Sequence, residues 1–164
     1  MTKPVRIYLL MALTLLGCAS SGKSSDGAAR VAMEAGKQYA QSGLYDQAIT
    51  RFKEAIAEDD ELAAAYMNLG VCYIQKGRDY YATAREVLEL AAKQDDGEKD
   101  PLVWYNLTVI YTLTDVYDKA LDALDRALGF GFNDYDALRT DKDLRELRKR
   151  EQFRAVLERH NVFL

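Results

Sequence analysis

The chain has 164 residues, of which 49% are hydrophobic and 29% are charged, so its composition is that of a packed globular domain and not of a disordered chain. Its two cysteines cannot build a disulfide-stapled scaffold, and a single histidine with two distant cysteines argues against zinc sites of the usual ligand types. The net charge of −4 argues against a nucleic-acid binder.

Residues 1–17 have the pattern of a signal peptide. Lys3 and Arg6 form a short basic region, and residues 7–16 follow without a charge. Ten uncharged residues are too few to span a hydrocarbon core, which needs about 20. This stretch therefore predicts export of the chain and not a membrane span.

Leu15-Leu16-Gly17-Cys18 ends the leader and resembles a bacterial lipobox. The resemblance implies that Cys18 receives a diacylglycerol and becomes the N-terminus after cleavage, which anchors the protein to a membrane of the bacterial cell envelope. Ala19 stands where an Asp commonly retains such lipoproteins in the inner membrane, which favours the outer membrane, facing the periplasm. The alternative is a transmembrane or core helix followed by a chance cysteine. Residues 18–28, rich in Gly and Ser, are predicted to be a flexible tether.

A two-part pattern recurs three times between residues 29 and 128. Gly36 and Gly70 lie 34 residues apart, and Thr108 takes the same place in the third copy, 38 residues after Gly70. Each copy continues with a small residue, a large apolar one and a second small one at helical spacing, beginning at Ala48, Ala84 and Ala120. Such periods are typical of stacked repeats.

The phrases Trp104-Tyr-Asn-Leu107 and Tyr45-Asp-Gln-Ala-Ile49 lie close to those of the tetratricopeptide repeat (TPR) family, which the chain resembles. The resemblance implies an all-α TPR solenoid of three helical hairpins, at about residues 29–62, 63–98 and 101–132, with insertions in the second repeat. Residues 129–164 break the pattern and are predicted to form C-terminal capping helices.

Several residues mark the expected helix ends. Gly43 and Gly77 would end the first helix of their hairpins in a left-handed conformation. Asp100 and Pro101 would begin the third repeat as N-cap and first-turn residue. The acidic pair Asp95-Asp96 is interpreted as a solvated turn.

Charge is distributed unevenly along the chain. Residues 139–160 hold eight Lys and Arg against five Asp and Glu, a net charge of +3, whereas residues 18–138 hold 12 against 21, a net charge of −9. This asymmetry could steer the protein toward an anionic lipid surface, or it could simply favour solubility.

The sequence predicts no enzyme, no cofactor and no metal site. His160 is interpreted as a surface residue, and Cys72 as a small buried thiol in the first helix of the second repeat. There is no Gly-rich phosphate loop and no calcium-binding spacing of acidic residues.

The resemblance implies that the first helices of the hairpins line a concave groove. This predicted surface, here called the inner stripe, would bind a peptide or helix of another envelope protein, so that the chain acts as an adaptor or assembly factor. The alternatives are a groove that carries a small apolar ligand and a groove covered by the C-terminal segment. The inner stripe comprises Met33, Lys37, Gln41, Met67, Asn68, Val71, Ile74, Tyr105, Asn106, Val109 and Leu113.

Overall fold

The structure is a computed structural model that describes residues 25–163. The predicted signal peptide, Cys18 and the tether up to residue 24 lie outside the described residues. From residue 25 to residue 163, no helix is both long enough and apolar enough to cross a membrane.

The described part of the chain folds into three helical hairpins followed by a helical cap. The hairpins pair the helices α1 with α2, α3 with α4 and α5 with α6, and neighbouring hairpins pack on one another. The predicted all-α solenoid of three hairpins is thereby confirmed. The helix bounds are α1 Ser25–Gln41, α2 Tyr45–Glu58, α3 Ala63–Lys76, α4 Tyr81–Ala91, α5 Pro101–Leu113 and α6 Tyr117–Gly129.

The first helix begins earlier than the predicted repeat boundary at residue 29. Because α1 starts at Ser25, the last four residues assigned to the tether, 25–28, are helical. Ala28 and Ala29 are strong helix formers, which favours extension of the helix toward the N-terminus.

Small residues let the two helices of a hairpin approach closely. A Cβ atom placed on Gly36 would lie 2.5 Å from the Phe52 ring, and one on Gly70 would lie 2.6 Å from Cγ of Leu88. In the third hairpin Thr108 takes this position, fully buried, and its hydroxyl donates a 2.9 Å hydrogen bond to the carbonyl of Trp104. The buried hydroxyl, which the glycines of the other two hairpins lack, therefore has a hydrogen-bond partner.

Residues with positive φ end the first helix of each hairpin. Gly43 has a φ of 74° and Gly77 a φ of 102°, as predicted. In the third hairpin Asp115 has a φ of 60° and takes this role without a glycine. Aspartate tolerates this region because its short side chain can bond locally.

The start of the third repeat is also as predicted. The carboxylate of Asp100 accepts a 2.8 Å hydrogen bond from the backbone N–H of Leu102, and Pro101 occupies the first turn. The first backbone N–H groups of a helix have no partner within the helix. Asp100 accepts a bond from one of them, and Pro101 has no N–H that would need a partner.

The insertions in the second repeat fold into ordered local structure. A short 3-10 turn, Arg78–Tyr80, precedes α4. In the loop after α4, Asp96 is exposed as expected, but its carboxylate also accepts a 3.2 Å hydrogen bond from the backbone N–H of Ala63 at the start of α3. The loop therefore ties the end of the second hairpin to its beginning, a role that the solvated-turn interpretation does not include.

The C-terminal segment packs against α5 and α6 and closes the stack. It contains α7 Tyr135–Thr140, a 3-10 turn Lys142–Leu144, α8 Arg145–Arg148 and α9 Glu151–Arg159. Arg148 donates hydrogen bonds to the carbonyls of Leu138, at 3.2 Å, and Asp141, at 2.7 Å. Three fully buried leucines supply the apolar contact that a terminal unit needs: Leu138, Leu144 and Leu147.

Candidate partner-binding face

Most of the inner stripe is buried. Its members recur at helical spacing on α1, α3 and α5, so that on each helix they share a face. Only Gln41 is exposed, and Lys37 and Leu113 are partly exposed. The buried members are Met33, Met67, Asn68, Val71, Ile74, Tyr105, Asn106 and Val109.

The burial arises because the first helices pack on one another and on the cap. Met33, Met67 and Val109 are part of the same continuous apolar core as the residues between the hairpins. At the third repeat the C-terminal segment supplies the cover. The Tyr105 ring stacks on Phe132 with 4.4 Å between centroids, and its hydroxyl donates a 2.7 Å hydrogen bond to Asp141. The sequence contains no signal for these partners, since only the folded chain brings residues 36 positions apart together.

The two asparagines of the stripe use their amide nitrogens within their own helices. Nδ2 of Asn68 donates to the carbonyl of Ala64 at 2.7 Å, and Nδ2 of Asn106 donates to that of Leu102 at 2.8 Å. Oδ1 of Asn68 is buried and accepts no hydrogen bond from the described residues. A buried acceptor without a donor costs about 1–3 kcal/mol. That these two asparagines contact a bound partner stays a prediction.

The accessible ends of the stripe differ in chemistry. On α1, Lys37 lies 3.8 Å from the carboxylate of Glu34 and retains 24% side-chain exposure, and Gln41 is exposed one turn further on. On α5, Leu113 offers a partly exposed apolar side chain. A partner that meets this face from outside therefore finds polar groups at α1 and an apolar group at α5.

The residues considered for chemistry are His160 and Cys72. His160 Nε2 lies 2.9 Å from a carboxylate oxygen of Asp125, which joins the end of α9 to α6. Over residues 25–163, no three His, Cys, Asp or Glu side chains are grouped so that they could hold a metal ion. Cys72 is buried as predicted.

We expect Cys72 to be unreactive in the native protein. Burial raises the pKa of its thiol to about 12, so very little thiolate is present near neutral pH. In the Cys18→Ser chain at about pH 8, alkylation by iodoacetamide should be about 10³-fold slower in buffer than in denaturing urea. Mass spectrometry of the labelled chain measures both rates, and equal rates would contradict the buried placement.

The fold should lose stability at alkaline pH. Burial is the main factor that raises the pKa of Tyr105 and of Tyr111, and hydrogen bonds to Asp141 and Glu89 raise it further. In the unfolded chain a tyrosine ionises near pH 10, so above that pH the folded state binds more protons and the free energy of unfolding decreases as pH rises. Urea midpoints at about pH 8 and 11 should show this decrease. Replacing both tyrosines by phenylalanine should make the decrease in the urea midpoint smaller. If the decrease is unchanged in this variant, other groups cause it.

Comparison with known proteins agrees with this architecture. Residues 36–77 match the family model described as TPR repeat, and no curated protein sequence matches the chain. The first TPR domain of Spaghetti (RPAP3), solved with the HSP90 peptide SRMEEVD, superimposes with a TM-score of 0.66 at 20% identity, over 80% of this chain and 97% of that chain. The first TPR domain of human RPAP3 gives 0.64 at 20% identity, over 81% and 94%. The Arabidopsis OM64 TPR domain gives 0.62 at 14% identity, over 84% and 98%.

The hairpins, their close contacts at Gly36 and Gly70, and the matched segment agree on one architecture. Residues 36–77, which match the TPR model, extend from the second half of α1 through α2 and α3, and the chain folds as a tetratricopeptide-repeat solenoid.

Proposed function

We propose that this protein is a membrane-anchored TPR adaptor of the bacterial cell envelope. A lipid on Cys18 would hold it at the outer membrane, facing the periplasm, where the concave face binds a segment of another envelope protein and assists its assembly. The observation that carries the binding role is the superposition, over 80% of the chain, on a TPR domain solved with a bound peptide. The lipobox-like Leu15–Cys18 supports the anchor.

The partner would meet the accessible ends of the inner stripe first. Lys37 and Gln41 offer hydrogen bonds and one positive charge, and Leu113 offers an apolar contact. Oδ1 of Asn68, which accepts no hydrogen bond from the described residues, belongs to the same stripe. If neighbouring side chains shift when the partner binds, an N–H of the partner would donate to this oxygen. The burial of Met67, Val71 and Val109 disfavours the alternative, because a small apolar ligand would find these side chains already covered.

Site-specific cross-linking in intact cells tests the binding role. Photoreactive side chains at Gln41 and Leu113 should capture the same one or few proteins. Matched control positions on the second helices are Glu86 and Asp122, which are exposed on α4 and α6. Capture of the same proteins from the control positions, or of none from either pair, would contradict the proposed face.

Labelling with a radioactive fatty acid tests the anchor separately. The natural chain and a Cys72→Ser control should both incorporate label, and Cys18→Ser should incorporate none and stay uncleaved or leave the membrane fraction. Label on the Cys18→Ser chain would rule out Cys18 as the attachment site.

A further inference from the structure

A positively charged cleft of about 660 Å³ lies in the cap, at the far end of the stack from α1. Two carboxylates, Glu151 and Glu158, also face it. The residues that line the cleft include five cationic side chains and two carboxylates, so the cleft is basic although the chain has a net charge of −4. The cations are Arg139, Arg148, Lys149, Arg150 and Arg154.

These cations differ in how firmly the fold holds them. Arg148 is fixed by two backbone carbonyls, and the Arg150 guanidinium lies 3.4 Å from the centroid of the Tyr117 ring. Lys149 makes an exposed ion pair with Glu146 at 2.6 Å, and Arg139 makes one with Asp136; exposed pairs of this kind are weak and exchange readily. Arg154 is exposed, and no carboxylate between residues 25 and 163 pairs with it. Lys149 and Arg154 are therefore available to an external anion.

An exposed aromatic side chain borders the same cleft. Phe163 is 84% exposed, the largest value among the big apolar side chains of the described residues. The other apolar residues that line the cleft are Phe153, Leu157 and Val162. A protruding phenylalanine surrounded by cations has the chemistry of a surface that contacts lipid headgroups and the outermost part of the acyl chains.

We infer that the cap docks on a bilayer that contains anionic phospholipid. Arginine and lysine side chains of the cleft bind headgroup phosphates, for which the guanidinium fork is well suited, and Phe163 inserts between the lipids. The charge distribution favours this orientation, because residues 139–160, with a net charge of +3, face the anionic surface, whereas the described residues before them, which are net negative, face away from it. An acidic peptide could use the same cations, but acidic side chains alone would not account for an aromatic side chain that is 84% exposed at the cleft.

This docking is independent of acylation at Cys18 and of the inner stripe. The cap contacts α5 and α6, whereas Lys37 and Gln41 lie on α1, which contacts α2 and α3. A cap on the bilayer therefore leaves the polar end of the inner stripe free for a partner.

Vesicle co-sedimentation of the full-length Cys18→Ser chain tests the inference. The vesicles contain phosphatidylcholine, with or without about one third phosphatidylglycerol, at low and moderate salt. The cap variant reverses two exposed cations, Lys149→Glu and Arg154→Glu. The matched control, Lys93→Glu and Lys99→Glu, makes the same charge change at two exposed loop positions. Every variant carries the same leader, so a difference in binding between variants is assigned to the substituted residues, and circular dichroism confirms that each variant is folded.

We expect binding to the anionic vesicles that weakens with salt, at least about tenfold weaker binding of the cap variant, and little change in the loop control. Phe163→Ser, which changes no charge, should also weaken binding.

Equal losses in the two charge variants, or no preference for phosphatidylglycerol, would overturn the inference. So would full competition by millimolar inorganic phosphate, which would identify free phosphate as the ligand. Binding of a Glu- and Leu-rich peptide through Lys149 and Arg154, without vesicle binding, would assign the cleft to an acidic protein partner instead.

Discussion

Replacing Phe52 by alanine should lower the free energy of unfolding by about 3–5 kcal/mol. The Phe52 side chain is 0% exposed and fills the space between α1 and α2 beside Gly36, so its removal leaves a cavity that rigid helices cannot close. Urea denaturation followed by far-UV circular dichroism measures the change. Gln47→Ala, an exposed position on the same helix, is the control and should change stability by less than about 0.5 kcal/mol.

The pair Phe52 and Gly36 allows a sharper test by a double-mutant cycle. In the natural chain Gly36→Ala should cost about 1–3 kcal/mol, since the new Cβ would lie 2.5 Å from the ring. With Phe52 already replaced by alanine, the same change should cost much less or stabilise, because the ring is gone and alanine favours helix by about 1 kcal/mol over glycine. Additive costs in the double variant would contradict the close contact.

Replacing Gly97 by alanine should destabilise the second hairpin by about 3 kcal/mol, at the upper end of overpacking effects. An added Cβ would lie 1.9 Å from the backbone oxygen of Ala91 and 2.7 Å from Cβ of Ala63. Neither atom is the end of a flexible side chain, so relief requires the loop to move away from the start of α3. That movement would also break the hydrogen bond between Ala63 and Asp96.

Two measurements check the Gly97 prediction. The urea midpoint should decrease, and limited proteolysis should cut within residues 92–100 faster than in the natural chain. Gly27→Ala is the matched control, because a Cβ on Gly27, within α1, meets no atom of the described residues within 4 Å, so this change should be neutral or stabilising. A Gly97 variant as stable as the Gly27 variant would show that the loop is not packed as described.

The repeats could be predicted because their determinants are local. Gly36, Gly70 and the small residue that begins the second part of each pattern occur at fixed spacing, and a helical face is visible in sequence whenever the spacing is regular. Gly43 and Gly77 are informative for the same reason, since glycine is the residue that a positive φ favours. Asp115 shows where this reasoning becomes weaker, because aspartate can adopt a positive φ but indicates it less specifically than glycine does.

The candidate site could be predicted only in part. The spacing places Met67, Val71 and Val109 on the inner faces of their helices, but spacing does not reveal how much of those faces neighbouring elements cover. The cover of Tyr105 by Phe132 and Asp141 depends on contacts between residues 27 and 36 positions apart. The cleft of the cap likewise combines α7, α8 and α9, so the net charge of residues 139–160 was visible in the sequence but its concentration around a cavity was not.

The sequence by itself determined that this is an all-α chain of three TPR-like hairpins with a terminal cap, because helix periodicity, close-packing glycines and turn residues are properties of neighbouring positions. The tertiary structure decided which parts of the inner stripe stay accessible. It also decided how the loop at Asp96 and Gly97 packs against the start of α3, and which positive charges of the cap line one cleft. Burial and electrostatic potential depend on atoms that are distant in sequence, and only the folded chain brings these atoms together.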